Sequence, residues 1–356
     1  MLGMIGVLIC AGWGTVGAAG KADGQEPRGQ LAAEPPAGSA APPAGSQGAA
    51  LRMNFDGGMR VVEDRRGMSG RFQVADGKPS RAARSPQTGP SLGTPTLTFE
   101  GGDASQRIAR IVDDPAQTGK RALEYEVKAP NVRIARTGGT KSRIQANVYD
   151  NVGVFELYGT VRLRLGKDMA ALLDYPDDVD WLMISEWWNN AGWTGEPNPF
   201  RISVHIRKPQ PGPGRQLHFG ARASAKDPAK DRWSTTIWEH DDTGFAIPID
   251  TWMTIEYYFK DGDDRTGRFL MAVTPDGGQR KVVLDVSNFT RHPDETKPDG
   301  LAQLNPMKLY TSGELTEYMR SRGKALQMLW SDLYLVPCGP AAAGQTTECA
   351  RLAGLR

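Results

Sequence analysis

The segment VFELYGTVRLRL (154 to 165) places Phe155, Leu157, Val161, Leu163 and Leu165 on one face and Glu156, Tyr158, Thr160, Arg162 and Arg164 on the other. Successive side chains of an extended chain point to opposite sides, so period two over this length predicts a strand with one buried face. The same alternation recurs in ALEYEVK (122 to 128), SRIQANVY (142 to 149), FRISVHIR (200 to 207), QLHFGAR (216 to 222) and TWMTIEYYFK (251 to 260). RFLMAV (268 to 273), KVVLDV (281 to 286), MKLYTS (307 to 312) and ALQMLWSDLYLV (325 to 336) complete it. Turn formers such as KDGDDRTG, TPDGG and KPQPGPGRQ separate the runs, and only GELTEYMRSRGK reads as a helix. Many one-faced strands without interleaved helices predict an all-β domain over 95–337, built as two packed antiparallel sheets in a sandwich or jelly roll. No fixed-period repeat is present, which argues against a propeller or solenoid.

The ends of the chain read differently. MLGMIGVLICAGWGTVGAAG is uncharged and apolar, with Val16 and Ala18 where a signal peptidase needs small residues. It is shorter than the roughly 20 apolar residues of a membrane span, so 1–19 is expected to be an export signal. Cys10 follows Leu8 and Ile9, which gives a weaker lipoprotein reading because the residue before such a cysteine should be small. Residues 20–50 are Pro, Ala and Gly with almost nothing to bury, and are expected to be a flexible tether. The lead-in over 51–94 is Gly- and Arg-rich, and one short strand with loose loops is expected there. In the tail, 338–356, Cys338 and Cys349 are either a disulfide or two free thiols, and an exported chain favours the disulfide. A secreted, periplasmic or cell-surface monomer without a membrane span is the expectation.

A net charge of +2 gives no mandate for nucleic acid, so any partner must be argued from a local site. The strand faces that do not feed the core supply one. On FRISVHIR that face carries Arg201, Ser203, His205 and Arg207; on SRIQANVY, Arg143, Gln145 and Asn147; on MKLYTS, Lys308, Tyr310 and Ser312; on WLMISEWWNN, Glu186, Trp188 and Asn190. A solvated strand usually shows Thr, Lys and Glu. Rows of Arg, Gln, Asn, His and Tyr instead form directional, planar hydrogen bonds, and beside aromatic rings they suit a sugar chain, whose CH-rich faces stack while its hydroxyls pair. Trp187 and Trp188 cannot share a side, so one belongs to the core, and Trp193 in the following loop is expected at the rim. Packing, surface networks and a Glu186–Arg201 salt bridge are the structural readings of the same residues. No zinc, nucleotide or Ser-nucleophile motif is present, and no cofactor is expected; DGDD (261 to 264) fits either a structural calcium or a hydrated turn.

The order and spacing of these strands resemble the concanavalin A-like β-jelly-roll proteins that bind or cleave polysaccharides, closest to the alginate-lyase-like and heparin-lyase-like polysaccharide lyases. The resemblance covers about residues 95 to 336 and is carried by PIDTWMTIEYYFKDGDDRTGRFLMAVTPDGG and by the three rows. Arg143, Gln145 and Asn147 stand where that family has Arg-x-Glu-x-Arg; Glu186 and Trp188 stand where it has Gln-x-His; Lys308 and Tyr310 match its Lys and Tyr, with Tyr310 two residues closer than usual. The resemblance implies a lyase acting on a uronate polysaccharide by β-elimination, with Tyr310 or His205 as base and acid and with Arg143, Arg201 and Gln145 neutralising the carboxylate. Asn147, Trp188, Trp193 and Lys308 would bind substrate. Two alternatives stay open: a glycoside hydrolase using Glu186, with Glu239 as partner carboxylate, and a non-catalytic carbohydrate-binding module.

Overall fold

The alternating runs form strands whose apolar sides meet between two antiparallel sheets. The computed structural model describes residues 50–74, 89–135, 137–190, 197–227, 232–340 and 345–355. The expected export signal, nearly all of the tether, and Trp193 lie outside the described residues. In chain order the strands are β1 (Leu51–Met53), β2 (Arg60–Glu63), β3 (Ser69–Gln73), β4 (Pro95–Thr98), β5 (Arg107–Asp113), β6 (Arg121–Val127), β7 (Val132–Arg133), β8 (Thr140–Val148), β9 (Glu156–Leu165) and β10 (Leu182–Trp188). They continue as β11 (Phe200–Arg207), β12 (His218–Asp227), β13 (Arg232–Asp241), β14 (Trp252–Lys260), β15 (Arg268–Pro275), β16 (Lys281–Ser287), β17 (Gln303–Asn305), β18 (Lys308–Ser312) and β19 (Leu326–Pro337). One sheet runs β16-β15-β14-β9-β19-β6-β5, with β1 on β19. The other runs β13-β12-β11-β10-β17-β8-β4-β3-β2, with β18 paired to both β10 and β8, and β7 to β8. The architecture is the β-jelly-roll sandwich that the alternation predicts.

The core lies between the sheets. Phe200, Ile202, Val204 and Ile206 of β11 and Ile144, Ala146 and Val148 of β8 face Leu157, Val161 and Leu163 of β9 and Ile255, Tyr257 and Phe259 of β14. Trp187 is the core member of the tryptophan pair, its ring 4.9 Å from Tyr257 and 6.1 Å from Phe269. Each fully buried aliphatic side chain contributes about 1.5 to 3 kcal/mol. A register slip of one residue would expose a whole row, so this burial also fixes which side chains face outward.

Strand β10 departs from strict alternation. Met183 pairs with His205 and Ser185 with Val204, so Ile184 is an additional residue in a β-bulge. Ile184 and Ser185 are both buried, and Met183 and Glu186 share the outer face. Period two counted back from Glu186 would have put Leu182 and Ile184 there instead; both belong to the core.

Several regions differ from expectation. The lead-in forms three strands, not one, because Met53, Phe55 and Phe72 find core partners once β1 pairs with β19 and β3 with β4. Arg107, fully buried, ties this region to β5 by donating to the carbonyls of Gly67, Gly101 and Gly102 and to Glu63. Phe155 precedes β9 and is 43% exposed, so it does not belong to the core row. WSTTIWEHDD, too rich in Thr to show clean alternation, supplies β13. The predicted helix is α1 (Gly313–Ser321), capped by Ser312, and a 3-10 helix over Lys167–Asp174 joins it. A second helix, α2 (Glu348–Leu352), is capped by Thr347. Cys338 and Cys349 are disulfide-bonded and lay α2 over the outer side of β9, β14 and β15, covering Tyr158, Tyr258 and Leu270. Glu156 and Tyr158 therefore point away from the core yet stay buried, with Glu156 accepting from Tyr258 and Thr347. No helix among the described residues is long and apolar enough to cross a membrane.

Candidate active site

Strand register draws one line of residues across the polar side of the second sheet. Asp241 lies opposite Gly220, Gly220 opposite His205, His205 opposite Met183, Met183 opposite Tyr310, and Tyr310 opposite Arg143. A parallel line runs Glu239, Arg222, Ser203, Glu186. Over these lines sits a cavity of about 280 Å³ lined by Asp180, Trp181, Met183, Arg201, His205, Arg222 and Tyr310. That is close to the lower end of small-ligand pockets, about 300 Å³. His205, Tyr310 and Arg201 thus meet at one cavity, though they come from distant parts of the chain.

His205 is almost fully buried, and its Nε2 lies 2.8 Å from Ser203 Oγ. Ser203 donates to the Arg222 carbonyl at 3.3 Å, so its oxygen is left to accept from Nε2–H. In the tautomer that keeps this bond the ring proton is on Nε2 and Nδ1 is a bare acceptor; Nδ1 is buried and has no hydrogen-bond partner. Burial first, and then the charges of Arg207, Arg222, Arg201 and Lys308, hold the imidazole well below the usual histidine range. The imidazole is therefore neutral at neutral pH.

Tyr310 stands two strands away, about 10 Å between Cα atoms at the usual spacing. Its ring meets Trp181 edge-on at 5.1 Å, and Lys308, Arg143 and Lys141 lie 4.7, 5.2 and 5.3 Å from its centroid. Its hydroxyl makes no hydrogen bond among the described residues. Arg143 and Lys141 are held from the other side by Glu100.

Glu186 does not face the cavity as expected; it is sealed beneath it, 0% exposed, and is consumed by two cations. Arg201 Nη1 donates to it at 2.7 Å and Lys308 Nζ bonds its other oxygen. Burial pushes this carboxyl up, but the Lys308, Arg201 and Arg143 charges outweigh it and hold Glu186 below the ordinary glutamate range. Lys308 is pushed down to about 7 by burial, against the pull of Glu186 and with Arg143 and Arg201 adding to the effect. The salt bridge to Arg201 that was the structural reading of Glu186 is present. Arg201 also lies 5.3 Å from the Trp188 ring and 4.7 Å from Trp233, and its Nε is buried without a partner.

The expected substrate contacts of Gln145, Asn147, Lys308 and Trp188 are not found at the surface: all four are buried. They form a support instead. Arg143 Nε donates to Gln145 at 2.9 Å, Gln145 donates to Asn147, Asn305 donates to Asn147 at 2.7 Å, and Trp188 Nε1 donates to Asn305 at 3.0 Å. These amides satisfy one another, as buried polar groups must.

No protein-family model matches the chain, and no curated protein matches it. Solved structures similar to it include polysaccharide lyases and the exoplasmic domain of VIP36. An endo-β-1,4-glucuronan lyase from the fungus Trichoderma reesei is 14% identical over 66% of this chain and 89% of that one, with a TM-score of 0.39. A PL-14 alginate lyase from Aplysia kurodai is 11% identical over 64% and 87%, TM-score 0.39, and an exolytic PL7 alginate lyase from Zobellia galactanivorans is 9% identical over 80% and 96%, TM-score 0.38. Scores this low carry no chemistry from those enzymes to this chain.

A pair of catalytic carboxylates is not formed by Glu186 and Glu239. They share the polar face but stand three strand spacings apart, about 14 Å. Glycosidase pairs are separated by roughly 5 to 9.5 Å. Glu239 is also held by Arg222 at 2.8 Å and by Arg207. In the DGDD turn, Asp261 bonds Arg291 and Asn189, and Asp263 caps its own turn through Thr266. Among the described residues no group of three His, Cys, Asp or Glu could hold a metal.

Four lining residues escaped the sequence reading. Arg222 sits on the non-core row of QLHFGAR, where the alternation marks it; Met183 and Trp181 are hidden by the bulge. Asp180 carries no signal of its own and is identified only by its contacts with Arg207 and Arg222.

Proposed function

We propose that the protein is a polysaccharide lyase that cuts a uronate-containing chain by β-elimination. The observation that carries this reading is the placing of His205 and Tyr310 on either side of Met183 at one cavity, with His205 Nδ1 free of any hydrogen-bond partner and Arg201 lining the same cavity. Arg201 and Arg143 neutralise the uronate carboxylate, which makes the C5 proton acidic and stabilises the enolate-like intermediate. His205 Nδ1 takes that proton. The C5–H electrons form the C4–C5 double bond as the C4–O bond breaks, and the Tyr310 hydroxyl gives its proton to the leaving oxygen. Glu186 is no acid or nucleophile here; it fixes the arginine and lysine above it.

The test is incubation with a panel of uronate polysaccharides, reading the ultraviolet absorbance of the unsaturated product end. Wild type is expected to generate it. His205→Gln and Tyr310→Phe should each lower kcat by about 100-fold or more, the usual contribution of a general acid or base. New reducing ends without absorbance would indicate hydrolysis, and binding without either product would indicate a binding module.

A further inference from the structure

The groove is charged unevenly along its length. On β8 and β18 Lys141, Arg143 and Lys308 outnumber Glu100, and between the two ends Glu186 of β10 pairs with Lys308 and with Arg201 of β11. At the β12–β13 end the balance reverses, with Asp180, Glu239 and Asp241 around Arg207 and Arg222. The three acids outnumber the two arginines they pair with, so this end carries net negative charge. Asp241 lies in the same transverse line as His205 and Tyr310, one strand beyond Gly220. A Cβ on Gly220 would come within 2.1 Å of Asp241 Oδ1 and 3.1 Å of the Arg207 side chain, so the missing side chain is what lets both lie across β12. Asp241 Oδ1 lies 3.3 Å from Arg207 Nε, which ties this carboxylate into the acidic cluster beside the cavity.

We infer that the substrate is a mixed polymer, with a uronate held between His205, Tyr310 and the β8 end and an uncharged hexose or N-acetylhexosamine over the β12–β13 end. This rests on the lyase reading for the position of the uronate. An anionic sugar over Asp180, Glu239 and Asp241 meets like charge, whereas hydroxyl and N-acetyl hydrogens are donors that these carboxylates accept. Like-charge juxtaposition discriminates by tenfold or more in affinity. The acidic rim acts against homopolymers of uronic acid rather than for any one epimer.

Calorimetric binding of tetrasaccharides to Tyr310→Phe tests the charge pattern whether or not a bond is cut. Alternating uronate–N-acetylhexosamine tetrasaccharides are expected to bind at least about tenfold more tightly than homopolymeric uronate tetrasaccharides. In Asp241→Asn, with its fold checked by circular dichroism, that ratio should shrink. Equal or reversed preference, or a ratio unmoved by Asp241→Asn and Glu239→Gln alike, overturns the inference. Selective binding without an unsaturated product from wild type would overturn only the lyase reading, and binding of neither class would overturn both.

Discussion

Replacing Glu186 by Gln removes the one carboxylate that Lys308 and Arg201 share beneath the cavity. In the wild type Lys308 titrates near 7 in the folded chain against 10.5 for an ordinary lysine. Its burial therefore costs stability below about pH 7, and the cost fades as pH rises toward 10.5, where the unfolded chain also loses the proton. Without Glu186 the attraction that keeps Lys308 as high as 7 is gone, and the folded variant carries a neutral Lys308 where the wild type carries an ammonium. Below pH 7 the folded variant then binds one proton fewer than the folded wild type. The stability gap between them should widen by about 1.4 kcal/mol for each pH unit of descent. Glu186 stays ionised through this window because its own titration lies below the ordinary range. Above about pH 8 Lys308 is neutral in both proteins, and the gap should level at about 3 kcal/mol or more, the cost of stripping a partner from a buried arginine. Urea unfolding of both proteins at several pH values between about 5 and 8.5 reads the gap directly. A gap that stays constant across that range, or narrows on acidification, would refute the coupling of Lys308 to Glu186.

The pH–rate profile offers a second check. His205 is held below the usual range, so the proposed elimination with His205 as base predicts an acid limb of kcat/KM well below pH 6.5; a limb at or above 6.5 would exclude it as the base. Reduction of Cys338–Cys349, which closes a loop of 11 residues' separation, should cost about 3 kcal/mol by chain entropy while leaving kcat unchanged, since the bond lies on the outer side of the other sheet. Thermal unfolding with and without reductant measures the first, and the elimination assay the second.

Burial explains how much of this was legible in the sequence. The rows on β8, β11 and β18 follow from alternation because Ile144, Ile202 and Leu309 leave their neighbours no choice of side. Alternation says which way a side chain points, not how deep it lies. Glu186, Gln145, Asn147 and Lys308 point to the polar face and are still buried, because side chains from adjoining strands close over them. Trp181 and Met183 could not be read at all, since one additional residue in β10 changes the count. The lead-in strands were missed for another reason: Leu51, Met53 and Phe55 have their partners on β19 or in the core it builds, far along the chain.

The bulge in β10 also sets where that strand can change length. Ile184 is the residue without an opposite number on β11, so its loss would straighten the backbone yet keep Met183 and Glu186 on the groove side. Removing Trp187 instead would swing Trp188 inward and strip Arg201 of one of its two rings. A single deletion thus preserves the outward-facing row at one position of this strand and turns Trp188 inward three residues later. A deletion scan from Ile184 to Trp188 would trace that boundary.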